Sequence, residues 1–492
     1  MDHVLKNISF IVVICWLSCL FAQAPDTLWT KTFGGLYYDS GTDIQQTNDS
    51  GYIILGITYS YGQGIPTYNN AYLIKTDENG DTLWTKVYGG PDHDACVSIQ
   101  QTSDSGFIAA GATGPVYSVM DVYVIKTDEN GDTLWTRTYG GPYQDGGKCI
   151  QQTSDDGYIV IGSTLLDAIN GFNYFLVKTN AFGDTIWTRT YGRADFDLAY
   201  HGQQTNDDGY VMVGLTEGLG TDTSNVYMIK TDSIGDTLWT KIFGRPFTDE
   251  GYCIQQTSDD GYIISGLTKS SGGSNYDVYV VKTDSRGDTL WTKTYGGPGD
   301  DVGSSVVQTI DGGYIIAGHT SSFGAGNFDG YLIRLNSDGD SLWTQTFGGP
   351  SYDMFSSVRQ TTDNGYIAVG LTRSFGSAEG DIYVVKIAPD TFGIRENKLR
   401  EFKKSSLKVI PNPFKHSTSI KCTFSGSASI KIYDCQGQQV KEISSGRKND
   451  VAFHTIVWDG TNDRGERLPD GVYFVLLEAR NKIIAEKIVK LE

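Results

Sequence analysis

Short apolar runs separated by turns rich in Gly, Asp and Asn fill most of this chain. The stretch around Trp239 is representative. Thr237 to Phe243 predicts one strand, Cys253-Ile254-Gln255-Gln256-Thr257 a second, Tyr262 to Thr268 a third and Val278-Tyr279-Val280-Val281-Lys282 a fourth. Asp259-Asp260-Gly261 and Asp284-Ser285-Arg286-Gly287-Asp288 predict hairpin turns, because Gly reaches positive φ without strain. Tyr262-Ile263-Ile264 and Val278 to Val281 are apolar at every position, the mark of strands covered on both faces.

The unit repeats. Trp29, Trp84, Trp135, Trp187, Trp239, Trp291 and Trp343 stand 55, 51, 52, 52, 52 and 52 residues apart, each in a Leu/Ile-Trp-Thr triplet. Four short strands per unit, stacked so that neighbours cover both faces, predict an all-β protein. The architecture expected over residues 25–388 is a seven-bladed β-propeller with four-stranded blades. The array opens on a Trp strand, Asp26 to Phe33, and ends on Ile382 to Lys386 with no Trp strand after it. The N-terminal strand is therefore expected beside 382–386, closing the ring.

A different pattern follows. Residues 389–405, with Pro, Asp, Lys and Arg, read as a linker. From 406 to 492 short alternating strands such as Ile430-Lys431-Ile432-Tyr433 and Gly471-Val472-Tyr473-Phe474-Val475 predict a small Ig-like β-sandwich.

Composition sharpens this picture. Gly (60) and Tyr (30) suit a turn-rich β protein. Residues 398–492 carry 17 Lys and Arg against 11 Asp and Glu, whereas the first 397 carry 22 against 47. A propeller this acidic repels nucleic acid and anionic membranes and tolerates cations and neutral sugars. Lys6, the apolar stretch Ile8 to Phe21 and Ala22-Gln23-Ala24 read as a signal peptide over residues 1–24, cleaved near Pro25, with no transmembrane segment in the mature chain. Cys19 raises a lipoprotein alternative, but Trp16-Leu17-Ser18 makes a poor lipobox. The mature cysteines, Cys96, Cys149, Cys253, Cys422 and Cys435, form no disulfide framework. Cys422 and Cys435 lie on neighbouring predicted strands, where pairing and two buried thiols are both open.

Two stretches resemble known families. Thr127-Asp128-x-x-Gly131-Asp132-Thr133-Leu134-Trp135 and its copies resemble the tryptophan-docking repeats of quinoprotein propellers. That resemblance implies a Trp docked against a neighbouring blade in each repeat, and it carries no quinone site. Pro411-Asn412-Pro413-Phe414, Tyr433-Asp434-x-x-Gly437, Trp458-Asp459-Gly460, Pro469-x-Gly471-x-Tyr473 and the final basic strand resemble the FlgD/Vpr Ig-like domain and the C-terminal sorting domain of type IX secretion cargo. This implies export by secretion machinery acting through residues 406–492, and a secreted or outer-membrane-surface location in a bacterium.

Candidate sites are of two kinds. Asp39, Asp94, Asp145, Asp197, Asp249, Asp301 and Asp353 each follow a repeat Trp by ten residues. They are expected around one mouth of the channel, either as a ring attracting Ca²⁺ or as caps on loop amides. Gln46, Gln101, Gln152, Gln204, Gln256, Gln308 and Gln360 recur in the inner strands, lining the channel or satisfying neighbouring backbone. Specific function is expected where blades differ. The connections Tyr59 to Asn70, Gly114 to Met120, Leu165 to Asn173, Glu217 to Asn225 and Ser321 to Phe328 vary most, and their Tyr59, Tyr61, Tyr68, Tyr117, Phe172 and Phe328 offer platforms for a glycan or protein ligand. His93, His201 and His319 occupy different places in their blades and form no repeated metal shell. Gly-x-Ser-x-Gly, His-Glu-x-x-His and P-loop motifs are absent. Arg286-Gly287-Asp288 and Asp77-x-Asn79-Gly80-Asp81 are read as ordinary turns. The leading expectation is a binding protein; a polysaccharide-active enzyme, a quinone-dependent oxidoreductase and a structural envelope protein are the alternatives.

Overall fold

The computed structural model describes residues 24–63, 66–115, 119–165, 171–193, 196–217, 223–244, 247–269, 275–390, 406–434, 438–479 and 482–491. Every regular element among them is a strand. The chain divides into two compact units, Met1–Asp390 and Thr391–Glu492. The expected signal segment, up to residue 23, and residues 391–405 of the expected linker lie outside the described residues.

The first unit consists of seven four-stranded antiparallel sheets. In blade 1, Asp39–Gln46, Tyr52–Thr58, Asn70–Thr76 and Thr82–Tyr88 follow one another as inner, second, third and outer strand. The second and third strands are buried almost throughout, because each blade face packs on a neighbour. One core cluster joins Ile53, Leu55 and Leu73 of blade 1 to Phe107 and Ala109 of blade 2.

Three side-chain devices recur. In the first hairpin, Asp49 Oδ1 accepts from the Thr47 hydroxyl at 2.5 Å and from the Gly51 N–H at 3.1 Å, which holds Ser50 at φ 68°. Lys75, buried along its stem, reaches that carboxylate at 2.8 Å. Burial raises the Asp49 carboxyl, but its bonds to Lys75, Thr47 and Gly51 outweigh this and leave it below the usual range. In the second device, Trp84 of blade 1 meets Phe107 of blade 2 edge-on at 6.0 Å. Its ring lies over Gly131 at φ 77°, where a Cβ would come within 2.8 Å. In the third, the Tyr88 hydroxyl donates to the Gly131 carbonyl at 2.6 Å.

Blade 7 is assembled from both ends of the unit. Thr27–Phe33 pairs antiparallel with Asp381–Ile387, Trp29 opposite Lys386 and Phe33 opposite Ile382. Blade 7 then meets blade 1: Ser357 Oγ donates to Asp43 at 2.8 Å and the Thr362 N–H to Gln46 Oε1 at 2.8 Å. Because the third and outer strands of this blade are not joined by a hairpin, Trp343 of blade 6 has no turn glycine to cover. Asp390 takes that place, accepting from Trp343 Nε1 at 2.7 Å, from Arg334 Nε at 2.7 Å and from the Tyr366 hydroxyl. The propeller's contacts thus run to Asp390, two residues past the boundary expected at 388.

The second unit is one antiparallel assembly of Ser406–Ile410, Thr418–Asp434, Gln439–Trp458, Gly471–Ala479 and Lys482–Lys490. Its motif residues meet in one core. Trp458 is fully buried, with Phe414 at 5.5 Å and Tyr473 at 5.3 Å between ring centroids. The Trp458 Nε1–H donates to the Thr461 carbonyl at 2.9 Å and the Tyr473 hydroxyl to the Pro469 carbonyl at 2.6 Å. Cys422 is a buried free thiol; Cys435 lies outside the described residues.

Deleting residues 25–34 strips the outer strand from blade 7 and exposes the edge of Asp381–Ile387. The melting temperature of the propeller is expected to fall by about 10 °C or more, with rapid proteolysis. Unchanged melting in a calorimetric scan would show that the pairing does not close the ring.

Candidate binding face and central channel

A bulge in every inner strand aims side chains into the channel. It falls between Gly41 and Asp43 in blade 1, and between Cys96 and Ser98, Gly147 and Cys149, Ala199 and His201, Gly251 and Cys253, Gly303 and Ser305, and Phe355 and Ser357 in the others. The extra residue at each bulge and the one after it line a channel cavity of about 480 Å³. Thr42, Val97, Lys148, Tyr200, Tyr252, Ser304 and Ser356 form one ring, and Asp43, Ser98, Cys149, His201, Cys253, Ser305 and Ser357 the next. Gln45, Gln100, Gln151, Gln203 and Gln255 continue the lining. The seven repeated glutamines take the second of the two roles expected for them and satisfy neighbouring backbone. Gln46, Gln101, Gln152, Gln204, Gln256, Gln308 and Gln360 each accept a backbone N–H from the first hairpin of the preceding blade, at 2.8 to 3.0 Å.

The repeated aspartates stand at the heads of the inner strands rather than in the loops before them. All seven are buried, and none lines the channel cavity. Asp39, Asp94, Asp145, Asp197, Asp301 and Asp353 accept the N–H of the residue four positions earlier, at 2.6 to 2.9 Å. Asp249 holds the same place in blade 5. Among the described residues no group of three or more His, Cys, Asp or Glu could hold a metal ion.

Each of these aspartates has a polar companion at the head of the preceding third strand: Asn70, Asp121, Asn173, Asn225, Asp277, Asp329 or Asp381. The two flank a glycine, so that a Cβ on Gly34 would strike both Asp381 and Asp39, and one on Gly140 both Asp121 and Asp145. Burial and then the neighbouring acid raise the carboxyls of Asp121 and Asp381.

The loop face gathers aromatic rings into two rows across blades 6, 7, 1 and 2. Tyr38 meets Tyr59 at 6.1 Å, Tyr59 meets His93 at 6.4 Å and His93 meets Tyr68 at 5.3 Å. On the other side of blade 7, Tyr352 meets Phe328 at 5.1 Å and Phe328 meets His319 at 5.3 Å. Tyr352 and Tyr38 hold the same place in neighbouring blades, and burial raises the Tyr352 phenol. Burial holds His319 down at about 4 against the pull of Asp301 and Asp300, so this ring is neutral at ordinary pH. All seven rings are half-buried. Phe172 packs edge-on with Phe196 at 5.6 Å in a separate pair. Near the mouth, Tyr200 meets Tyr252 at 5.1 Å and the Tyr252 hydroxyl donates to Glu250 at 2.9 Å.

Of the expected platform residues, Tyr59, Tyr68 and Phe328 lie in these rows. Tyr61 does not: it packs on Tyr72 and its hydroxyl donates to the Gly34 carbonyl at 2.6 Å. Tyr117 lies outside the described residues. Tyr38, His93, His319 and Tyr352 join the rows without being expected from the sequence as platforms. Tyr38, His93 and Tyr352 hold one repeated position, directly before the recurring aspartate of their blade.

Comparison with known proteins locates the C-terminal fold. Residues 415–482 match the FlgD Ig-like domain. The C-terminal unit carries a FlgD Ig-like domain. Over 160 residues the chain is 25% identical to the regulatory protein FlaEY of Caulobacter vibrioides, an overlap of 27% of this chain and 17% of that relative's length. Among solved structures, PorZ, a surface component of the type IX secretion system of Porphyromonas gingivalis, is 12% identical with a TM-score of 0.43, covering 89% of this chain and 58% of that one. A fungal alcohol oxidase is 12% identical with a TM-score of 0.47, covering 95% of this chain and 100% of that one. Neither likeness bears on function.

Replacing Asp381 with Asn, the residue blades 1, 3 and 4 hold at this position, is expected to raise the unfolding free energy at about pH 7 by on the order of 1 kcal/mol. The folded carboxyl is raised, so its stabilising contribution is complete at low pH and is lost as pH rises through that raised value. The gap between variant and parent should therefore close below the ordinary value of 3.8. Urea unfolding at neutral and acid pH checks both points, and a variant less stable at neutral pH contradicts the account.

Proposed function

We propose that this protein is an exported binding protein whose propeller face takes a neutral glycan. The observation that carries the reading is two rows of half-buried rings on consecutive blades, His319–Phe328–Tyr352 and Tyr38–Tyr59–His93–Tyr68. Aromatic faces bury the C–H faces of sugar rings, and phenol and imidazole edges supply hydrogen bonds to hydroxyls. No Lys, Arg, Asp or Glu belongs to either row, and the acidic propeller disfavours polyanions. An uncharged ligand fits both facts.

Export rests on separate features. Lys6, Ile8 to Phe21 and Ala22-Gln23-Ala24 support a signal peptide. The motifs from Pro411 to the last basic strand support delivery to a bacterial surface by type IX machinery through residues 406–492. A second reading, cleavage of the glycan, has one observation in its favour. Glu250, raised by burial and bonded to Tyr252, is a carboxyl suited to donate a proton near the channel mouth.

The test incubates the full chain with insoluble neutral polysaccharides and measures both retention and release of soluble sugar. Retention is expected, falling by about tenfold or more in a Tyr59→Ala, Tyr352→Ala double variant with unchanged melting. Retention that survives the double variant, or no retention on any polymer, refutes the glycan face. Release of sugar that is lost in Glu250→Gln would move the assignment to an enzyme.

A further inference from the structure

The channel holds one cation that the scaffold does not use. From blade 1 to blade 7 the bulge residues that ring the lumen are Thr42, Val97, Lys148, Tyr200, Tyr252, Ser304 and Ser356. The other blades fold with a neutral residue at this place, so the position demands no charge. Lys148 is exposed to the lumen. Protein nevertheless surrounds it, and that surrounding alone lowers its ammonium from the usual value.

Every other lysine of the propeller has a partner. Lys75, Lys126, Lys178, Lys230, Lys282 and Lys386 are buried and meet an aspartate at 2.8 to 2.9 Å. On the outer strands Lys31, Lys86, Lys241 and Lys293 meet one at 2.6 to 2.8 Å. Lys269 lies over the Tyr276 ring at 5.8 Å. Among the described residues Lys148 has no ion pair and no hydrogen bond. The acids near the channel are committed elsewhere. Asp43 accepts the Ile44 and Ile99 N–H groups at 2.9 and 3.1 Å, the Ser357 hydroxyl at 2.8 Å and Arg359 Nη2 at 3.0 Å. Glu250 does not line the cavity and takes the Tyr252 hydroxyl at 2.9 Å. An ammonium enclosed by protein without a counter-charge is unfavourable, and an anion entering the lumen relieves it.

The rest of the ring sets the chemistry of that anion. Beside Lys148 stand Val97 on one side and Tyr200 and Tyr252 on the other, the two rings meeting edge-on at 5.1 Å. Ser304 and Ser356, three and four blades away, face Lys148 across the ring. An apolar wall next to the cation, in a cavity of about 480 Å³, suits an organic body carrying one negative charge.

We propose that the channel is a binding site for a low-mass monocarboxylate, its carboxylate paired with the Lys148 ammonium and its apolar body against Tyr200 and Tyr252. The acidic exterior turns away polyanions, whereas a single small charge approaches through screening salt. The site is separate from the loop face, because none of the seven rings of the two rows lines the cavity.

The experiment titrates the full chain by calorimetry with benzoate as the probe, in about 0.1 M salt. Benzoate is expected to bind with a Kd of about 1 mM or tighter, and benzamide, the same ring without the charge, at least about tenfold more weakly. Lys148→Thr, which installs the residue of blade 1, should keep its melting temperature and weaken benzoate by about tenfold or more. Lys148→Arg should retain most of the affinity. The Tyr59→Ala, Tyr352→Ala double variant should bind benzoate as the parent does, so this site and the glycan face stand or fall separately. Equal affinities for benzoate and benzamide, unchanged binding in Lys148→Thr, or no heat with benzoate at about 20 mM overturns the proposal. If Lys148→Thr does not fold, lysine acetylation of the parent decides. Benzoate and not benzamide should protect Lys148, and labelling at an unchanged rate refutes the site.

Discussion

A closed ring of four-stranded sheets leaves one edge of every blade facing the channel, and the propeller depends on how those edges are satisfied. An inner strand has a partner on one side only, so alternate N–H groups point away from its sheet. Side chains from the preceding blade meet them. Gln45 accepts the Gln101 N–H, Gln100 that of Gln152, Gln151 that of Gln204, Gln203 that of Gln256 and Gln255 that of Gln308, at 2.6 to 3.1 Å. The adjacent glutamine reaches the other way, to the hairpin of the blade before. Two amides per repeat therefore sew each edge to its neighbour. Around the ring the ladder changes at Val307 and Arg359, and there the Arg359–Asp43 pair helps to tie blade 7 to blade 1.

The same constraint explains where chemistry is free to appear. The bulge turns an extra residue into the lumen, and the position after it needs only a group that can bond to the next blade. Serine, aspartate, cysteine and histidine all do so, which leaves their reactivity unconstrained by the fold. At the mouth, the residues before the inner strands are held by backbone bonds, as in Tyr59 N–H to the Tyr38 carbonyl and Arg373 N–H to the Tyr352 carbonyl, both 2.9 Å. Their side chains differ from blade to blade: His93 Nδ1 lies 2.6 Å from Asn69 Oδ1 and Asp300 accepts the Tyr276 N–H at 2.9 Å, whereas Tyr38 and Tyr352 pack on other rings.

That division also governs what can be read from the chain alone. Features demanded in every blade are repeated in identity, so the Trp period, the four strands, the ring-closing N-terminal strand and the Asp and Gln positions are all visible. The direction in which a repeated side chain points is not. Asp39 and its copies turn into their own loops, and nothing in their spacing distinguishes that from turning toward the lumen. The bulges leave no mark in the sequence, because Thr42, Val97, Lys148 and Tyr200 share no residue type. The ring clusters are half legible for the same reason: Tyr38, His93 and Tyr352 are equivalent in place and not in chemistry. Tyr61 shares a loop with Tyr59 in the sequence, but its hydroxyl is committed to Gly34. The Lys75–Asp49 pair and its copies repeat as clearly as the tryptophans, yet a lysine in a strand reads as a solvated end until its burial is known.

Ring closure sets the order in which all this can form. The outer strand of blade 7 is the first strand among the described residues, and its partner Asp381–Ile387 is the last strand of a unit that ends at Asp390. Contacts that span a whole domain form late, because the loop entropy is met before the contact is gained. The Asp390 clasp on Trp343, Arg334 and Tyr366 adds a second late element at the same seam. An array that cannot close until its final strand is present stays open while the chain is incomplete. In an open array the seam between blades 7 and 1 has not formed, and neither the channel ring nor the side-by-side placing of the Tyr352 and Tyr38 clusters exists. Binding face and channel are thus properties of the closed ring rather than of any blade.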